Sequence, residues 1–245
     1  MKKIFIVMAV LALAACQQEN KDYNPADART FWLTGDVKEV RISRAILSTT
    51  SEDEIGDPWV DDDELQMTFD EKGRVTLDGN GNVYVYDEEG NFVRGSSEIT
   101  EMTRDAQGRI ATYNNANVPE DADYEDFDFE HFLQVDYTYD AQGRPVTEDM
   151  GGWEWGTTYT YEYEGQKVYP SGGSFEGGYE GIVEEGTITY EYLKFDAKGN
   201  WTERNVMIVT KTYEEPWEGD PEPEVETVAT ETLERRTISY WSDKN

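Results

Sequence analysis

Few residues in this chain could do covalent chemistry, and each of them stands alone. Among 245 residues there is one cysteine, Cys16, and one histidine, His131. A serine-hydrolase triad would have to be built around that histidine, yet its neighbours Phe129 and Phe132 lie in an acidic stretch without a nucleophile motif. Zinc sites of thiolate and imidazole ligands are excluded by the same scarcity. Carboxylates are the opposite case. The 53 Asp and Glu residues include the pairs a glycoside hydrolase needs, but at this density pairs arise by chance and mark no site. The chain therefore reads as a non-enzyme, with a glycan-acting hydrolase as the third-ranked alternative.

Two patterns could bind without reacting. Asp61, Asp62, Asp63 and Glu64, together with the run opened by Asp121 and Asp123, are dense in oxygen ligands and suit a hard cation. Calcium is thus the one cofactor considered; no other is expected. Asp78-Gly79-Asn80-Gly81-Asn82 with Glu89 imitates EF-hand spacing. Val83 stands where that loop requires glycine, so the segment reads as a β-turn. The second pattern is Trp153, Trp155 and Tyr159, alternating on one strand face behind Gly151-Gly152. Exposed, these rings would stack on sugars or anchor a protein; packed, they would form a cross-strand ladder.

Cys16 has a different chemistry. Lys2 and Lys3 precede an apolar or small-residue stretch from Ile4 to Ala15, the length of an export signal and too short to span a bilayer. A lone cysteine has no disulfide partner in an oxidising compartment. Leu13-Ala14-Ala15-Cys16 resembles the lipobox of bacterial lipoproteins, which implies cleavage before Cys16 and a diacylglycerol on its thiol. With an N-acyl chain, such a lipid is enough for stable anchoring. Gln17, Gln18, Glu19, Asn20 and Asp22 resemble the signals that send lipoproteins of the Bacteroidetes to the cell surface. Outer-membrane, surface display is therefore expected, with a periplasm-facing position as the alternative.

Net charge is −32, which repels phosphates and anionic headgroups, so nucleic acid is not an expected partner. The membrane is met through lipid alone; the remaining partner is an unknown protein or glycan. Disorder is disfavoured by 16 Tyr, 9 Phe and 7 Trp, because disordered chains are poor in aromatics.

What must position any site is a repeat. Five segments share Asp, two variable residues, Gly, then Arg or Asn: Asp70 with Gly73, Asp87 with Gly90, Asp105 with Gly108, Asp140 with Gly143, and Asp196 with Gly199. Four carry Tyr or Phe before the Asp, and Arg104 departs from the rule. Asp can bond an amide two residues on, and Gly accepts the left-handed conformation of a type I turn with a bulge. Alternating tyrosines flank these turns (Tyr137 and Tyr139; Tyr159, Tyr161 and Tyr163; Tyr190 and Tyr192). The unit resembles the tyrosine-aspartate (YD) repeat of Rhs-type proteins over about residues 66–204, which implies successive hairpins and says little about activity.

The expected organisation is a signal peptide at 1–15, a lipidated tether at 16–35 and one all-β domain at 36–245. Its serial antiparallel hairpins form a twisted sheet that stays open or curls toward a barrel. Acidic loops are expected at 51–64, 119–130 and 214–226, a closing strand at 227–241, and the only candidate helix at 121–133. The function expected is structural or binding, for a protein or glycan partner; the alternative is an envelope component that binds calcium through its acidic loops.

Overall fold

The computed structural model describes residues 25–50, 60–79, 81–95, 99, 101–114, 133–152, 155–216 and 221–243. Among these, the chain is nearly all β. A short helix, α1 (Ala26–Thr30), precedes β1 (Val37–Thr49), β2 (Val60–Phe69), β3 (Val75–Leu77), β4 (Tyr84–Tyr86), β5 (Phe92–Gly95), β6 (Glu101–Arg104) and β7 (Ile110–Asn114). Then follow β8 (Leu133–Tyr139), β9 (Pro145–Gly152), β10 (Trp155–Glu162), β11 (Gly172–Tyr179), β12 (Ile182–Phe195), β13 (Trp201–Glu214) and β14 (Glu226–Tyr240).

Twelve strands form one antiparallel sheet in the order β3-β2-β1-β14-β13-β12-β11-β10-β9-β8-β7-β6, and β4 and β5 form a separate hairpin. From β6 to β14 the chain is an uninterrupted meander, and β14 closes it by docking on β1. The sheet edges, β3 and β6, are therefore near each other in sequence, and the β4-β5 hairpin lies between them. Its backbone ties are the bridge Leu77↔Val83 on one side and the Gly95 N–H to Ile99 C=O bond, 2.8 Å, on the other, and the Tyr84 ring is buried in the core. The ladder is not closed into a barrel.

Five turns repeat one geometry. At Asp140, the backbone N–H donates to Arg144 C=O (3.0 Å) and Gly143 N–H donates to Asp140 C=O (3.0 Å). Oδ1 accepts from the Gln142 and Arg144 amides at 2.9 and 3.0 Å, and Arg144 Nε donates to Oδ2 at 2.7 Å. Gly143 holds φ +81°, a conformation that only glycine enters readily. In each of the five hairpins the residue before the Asp pairs with the one five after it, as in Tyr139↔Pro145 and Phe195↔Trp201, with a bulge beside it. Asp78 to Asn82 makes a sixth such turn, a β-turn as its sequence suggests.

Neighbouring turns are latched together. Arg109 stacks on the Tyr139 ring at 4.1 Å, and Tyr139 donates its hydroxyl to Ile110 C=O at 2.6 Å. Arg144 repeats this on Tyr163 at 4.2 Å, whose hydroxyl reaches Pro145 C=O at 2.6 Å. Each stack of cation on ring is worth about 0.5–1 kcal/mol where partly exposed. The aromatic before one turn thus fastens the turn before it.

The N-terminal segment departs from its expected role. Of the expected tether at 16–35, residues up to 24 lie outside the described residues; of the remainder, Ala28 and Leu33 are fully buried in the core with Val37, Val40, Val75, Ile110 and Val135. A single sheet can bury a face only against something, and the curled sheet closes on residues 26–36. Asp27, 2% exposed, accepts from the Val75 N–H at 2.9 Å and pairs with Arg104, so one carboxylate joins β3 to β6. Arg104 breaks the aromatic rule of the repeat for this reason. The acidic segment 51–64 is also corrected at one end: Asp61, Asp62, Asp63 and Glu64 lie inside β2, where pairing with β1 (Arg44↔Asp61) extends the strand beyond the expected loop. The candidate helix at 121–133 falls almost wholly outside the described residues; the helix observed is α1.

Arg104→Tyr restores the regular repeat but strands Asp27 as a buried charge, and is expected to destabilise the protein by about 3 kcal/mol. Urea unfolding measures this, with Asp27→Asn/Arg104→Tyr recovering part of the loss. An unchanged midpoint in Arg104→Tyr would refute the edge-joining role.

Candidate functional site

Strand alternation sends one side-chain set of each strand into the curl, and there the set is unusually polar. Direct cross-strand pairing aligns Tyr192, Arg204, Glu234 and Arg44 across β12, β13, β14 and β1. Two residues further along β14, Arg236 faces the same way, and the bulge at the β12-β13 hairpin brings Trp201 beside both arginines. On the opposite wall, pairing sets Tyr137 and Tyr159 on either side of Glu148, with Tyr161 next along β10.

All of these but Tyr192 and Tyr159 line a cavity of about 310 Å³, near the lower bound for small-ligand pockets. Glu148 keeps part of its surface on the cavity and accepts hydroxyl hydrogen bonds from Tyr137 at 2.8 Å and Tyr161 at 2.7 Å. Burial pushes its carboxyl above the usual range, the nearby Asp78 adds to this, and the two phenols only partly offset it. Burial and the Glu148 charge push both phenols upward in turn. Asp78 is occupied: its Oδ2 accepts from Tyr84 at 2.7 Å and from Asn82 at 2.9 Å.

The other wall is cationic. Glu234 accepts from Arg204 at 2.6 Å and from Arg44 at 2.9 Å. Burial opposes its ionisation, but the two guanidiniums outweigh that and hold its carboxyl below the usual range. Arg236 has no such carboxylate; its Nε donates to the Trp201 C=O. Burial and the neighbouring Arg204 charge pull its pKa down to about 9, which leaves it a cation at neutral pH. The Trp201 indole lies between two guanidiniums, 3.7 Å from Arg236 and 4.1 Å from Arg204. Among the described residues, three donors on this wall lack a partner: Arg204 Nη1, Arg236 Nη2 and Trp201 Nε1.

The residues singled out in the sequence are distributed differently. Cys16, Leu13, Ala14, Ala15, Asp121, Asp123, His131 and Trp153 lie outside the described residues. Trp155 starts β10 opposite Tyr179. Tyr159 belongs to a ring ladder, 6.5 Å from Tyr161 and 5.9 Å from Phe175, and leads toward the cavity. Among the described residues no group of three or more His, Cys, Asp or Glu is placed to hold a metal ion, and none of their helices is long and apolar enough to cross a membrane. Sequence reasoning missed Glu148, Arg204, Glu234 and Arg236. A signal existed: Glu234 and Arg236 share the alternation phase of Ile238 and Tyr240, so they interrupt an inward-facing set with charge. No protein-family model matches the chain, and no curated protein matches it.

Because the folded protein holds the Glu148 proton more tightly than the unfolded chain does, Glu148 costs stability as pH rises from its unfolded value, about 4.3, through its raised folded value. Glu148→Gln does not titrate and keeps the acceptor for one tyrosine. Its melting temperature relative to wild type is expected to rise between pH 4 and pH 7. A difference independent of pH would refute the buried, reluctantly ionised carboxyl.

Proposed function

We propose that this chain is a lipid-anchored binding protein of a bacterial cell envelope, held through Cys16, whose curled sheet takes a glycan. It binds its partner and does not transform it. The observation that carries this reading is the continuity of aromatic and polar surface in the curl. Phe175, Tyr159 and Tyr161 run as adjacent rings toward Glu148 and the phenol hydroxyls. Flat rings for the apolar faces of a sugar, ending in hydrogen-bonding groups that fix its orientation, are what a saccharide requires. Gly186 supports the row: a Cβ there would stand 2.5 Å from the Phe175 ring, so glycine lets that ring lie across the strand.

A binding role also fits the carboxylates. Both Glu148 and Asp78 are engaged by hydrogen-bond donors of the protein itself, which restrains them from serving as a free acid and base pair. The anchor rests on Cys16 and the lipobox resemblance, and the outward orientation on the residues that follow the cysteine. The hairpin array, with its five alike turns, supports the likeness to YD repeats.

Two measurements test this. Cys16→Ser is expected to move the protein from the membrane fraction to the soluble one; retention in the membrane would refute the anchor. On a glycan array, the full-length protein in detergent is expected to bind saccharides, and Trp155→Ala to weaken that binding at least tenfold with little change in melting temperature. Binding to no glycan, or loss of stability with binding intact, would refute the glycan surface and leave Trp155 as packing.

A further inference from the structure

The curl contains a charge imbalance that its own residues leave standing. Arg44, Arg204 and Arg236 face one carboxylate, Glu234. Arg44 is half-exposed and solvated, whereas Arg204 and Arg236 are only 7% and 5% exposed. Arg204 has Glu234; among the described residues Arg236 has the Trp201 carbonyl and ring and the more distant Asp196 charge. Asp196 is itself bonded by Tyr240. Buried charges in folded proteins are paired, and a buried polar group without a partner is destabilising, more so when charged. Here three such donors belong to neighbouring residues, two guanidiniums and the indole they stack on, that all line one cavity, in a protein whose net charge is −32.

We propose that this wall of the cavity is a carboxylate subsite, in which Arg204 Nη1, Arg236 Nη2 and Trp201 Nε1 donate to the carboxylate of an acidic sugar. The proposal rests on the glycan reading above and narrows it to uronic acids. A planar monoanion fits for three reasons. It matches the flat fork of a guanidinium. It compensates Arg236, the cation of this wall that has no carboxylate partner among the described residues. It brings less added repulsion than a dianion into a strongly acidic molecule. The sugar hydroxyls would meet Glu148, Tyr137 and Tyr161 across the cavity, and the rings of Tyr159 and Phe175 lie beyond.

The test is calorimetric titration of the full-length, lipidated protein in detergent with galacturonate, its methyl ester, galactose and inorganic phosphate. Galacturonate is expected to bind at least tenfold more tightly than the ester, which presents the same ring without charge, and phosphate to compete poorly. Arg236→Met should remove that preference, bringing the acid-to-ester ratio to about one. Wild-type protein alone suffices if the variant does not fold, through the acid-to-ester ratio. Equal binding of acid, ester and galactose would overturn the subsite and leave the glycan reading intact. Phosphate binding as tight as galacturonate would overturn the choice of carboxylate. Binding of no sugar would overturn both.

Discussion

Among the described residues the sheet is the single large layer, so its concave face has little to pack against except itself and the short α1 segment. That constraint organises the molecule. The concave face must be filled from within, so the sheet curls, the segment carrying α1 enters the curl, and long side chains replace aliphatic ones where the walls stand apart. Leu33 and Val40 are completely buried, but they fill only one end. Farther along the strands the space is spanned by tyrosines, arginines and a tryptophan, which can reach across it. These side chains bring polar atoms with them, and polar atoms under burial need partners. The phenol-to-Glu148 bonds, the Arg204–Glu234 pair and the Asp27–Arg104 pair all answer that demand.

The repeated turns serve the same end from outside. Each Asp-x-x-Gly turn satisfies its own backbone, and where Arg ends the motif the guanidinium is pinned between its own Asp and the tyrosine of the next turn. Arg109 and Arg144 illustrate this. Such a device couples nearest neighbours, as in repeat proteins, and sets the spacing of successive hairpins at their turn ends. At the β12-β13 turn the device changes: Asn200 replaces Arg and bonds Tyr240 of the closing strand at 2.7 Å. The last hairpin is thereby tied to β14, which holds β1.

Much of this architecture was legible in the sequence. Asp and Gly at fixed spacing announce hairpins because their chemistry is local, and alternating tyrosines announce strands because the period is two. The closing strand was legible for the same reason. What was not legible is whatever depends on distant pairing. Asp27 reads as one more acidic residue of a polar leader until Arg104, 77 positions on, is found beside it. Arg104 was visible as an exception to the repeat, but only the fold supplies its reason. Val60 to Glu64 reads as loop because four consecutive carboxylates mask a strand whose partner, β1, lies upstream. The cavity was hidden most deeply. Its six charged residues come from β1, the turn after β3, β9, β13 and β14, and with 53 acidic residues in the chain no composition argument distinguishes Glu148 or Glu234 from the rest.

The proposed role of the curl as a place for a ligand as well as a core turns on its cationic wall, which sets three guanidiniums against one carboxylate. Bromide is a small anion that can report this directly. Crystals of the protein soaked in sodium bromide and measured at the bromine absorption edge are predicted to show an anomalous peak within contact of Arg204, Arg236 and Trp201. Density in which a carboxylate of the chain itself occupies those donors, or bromide found only on the outer surface, would contradict the account.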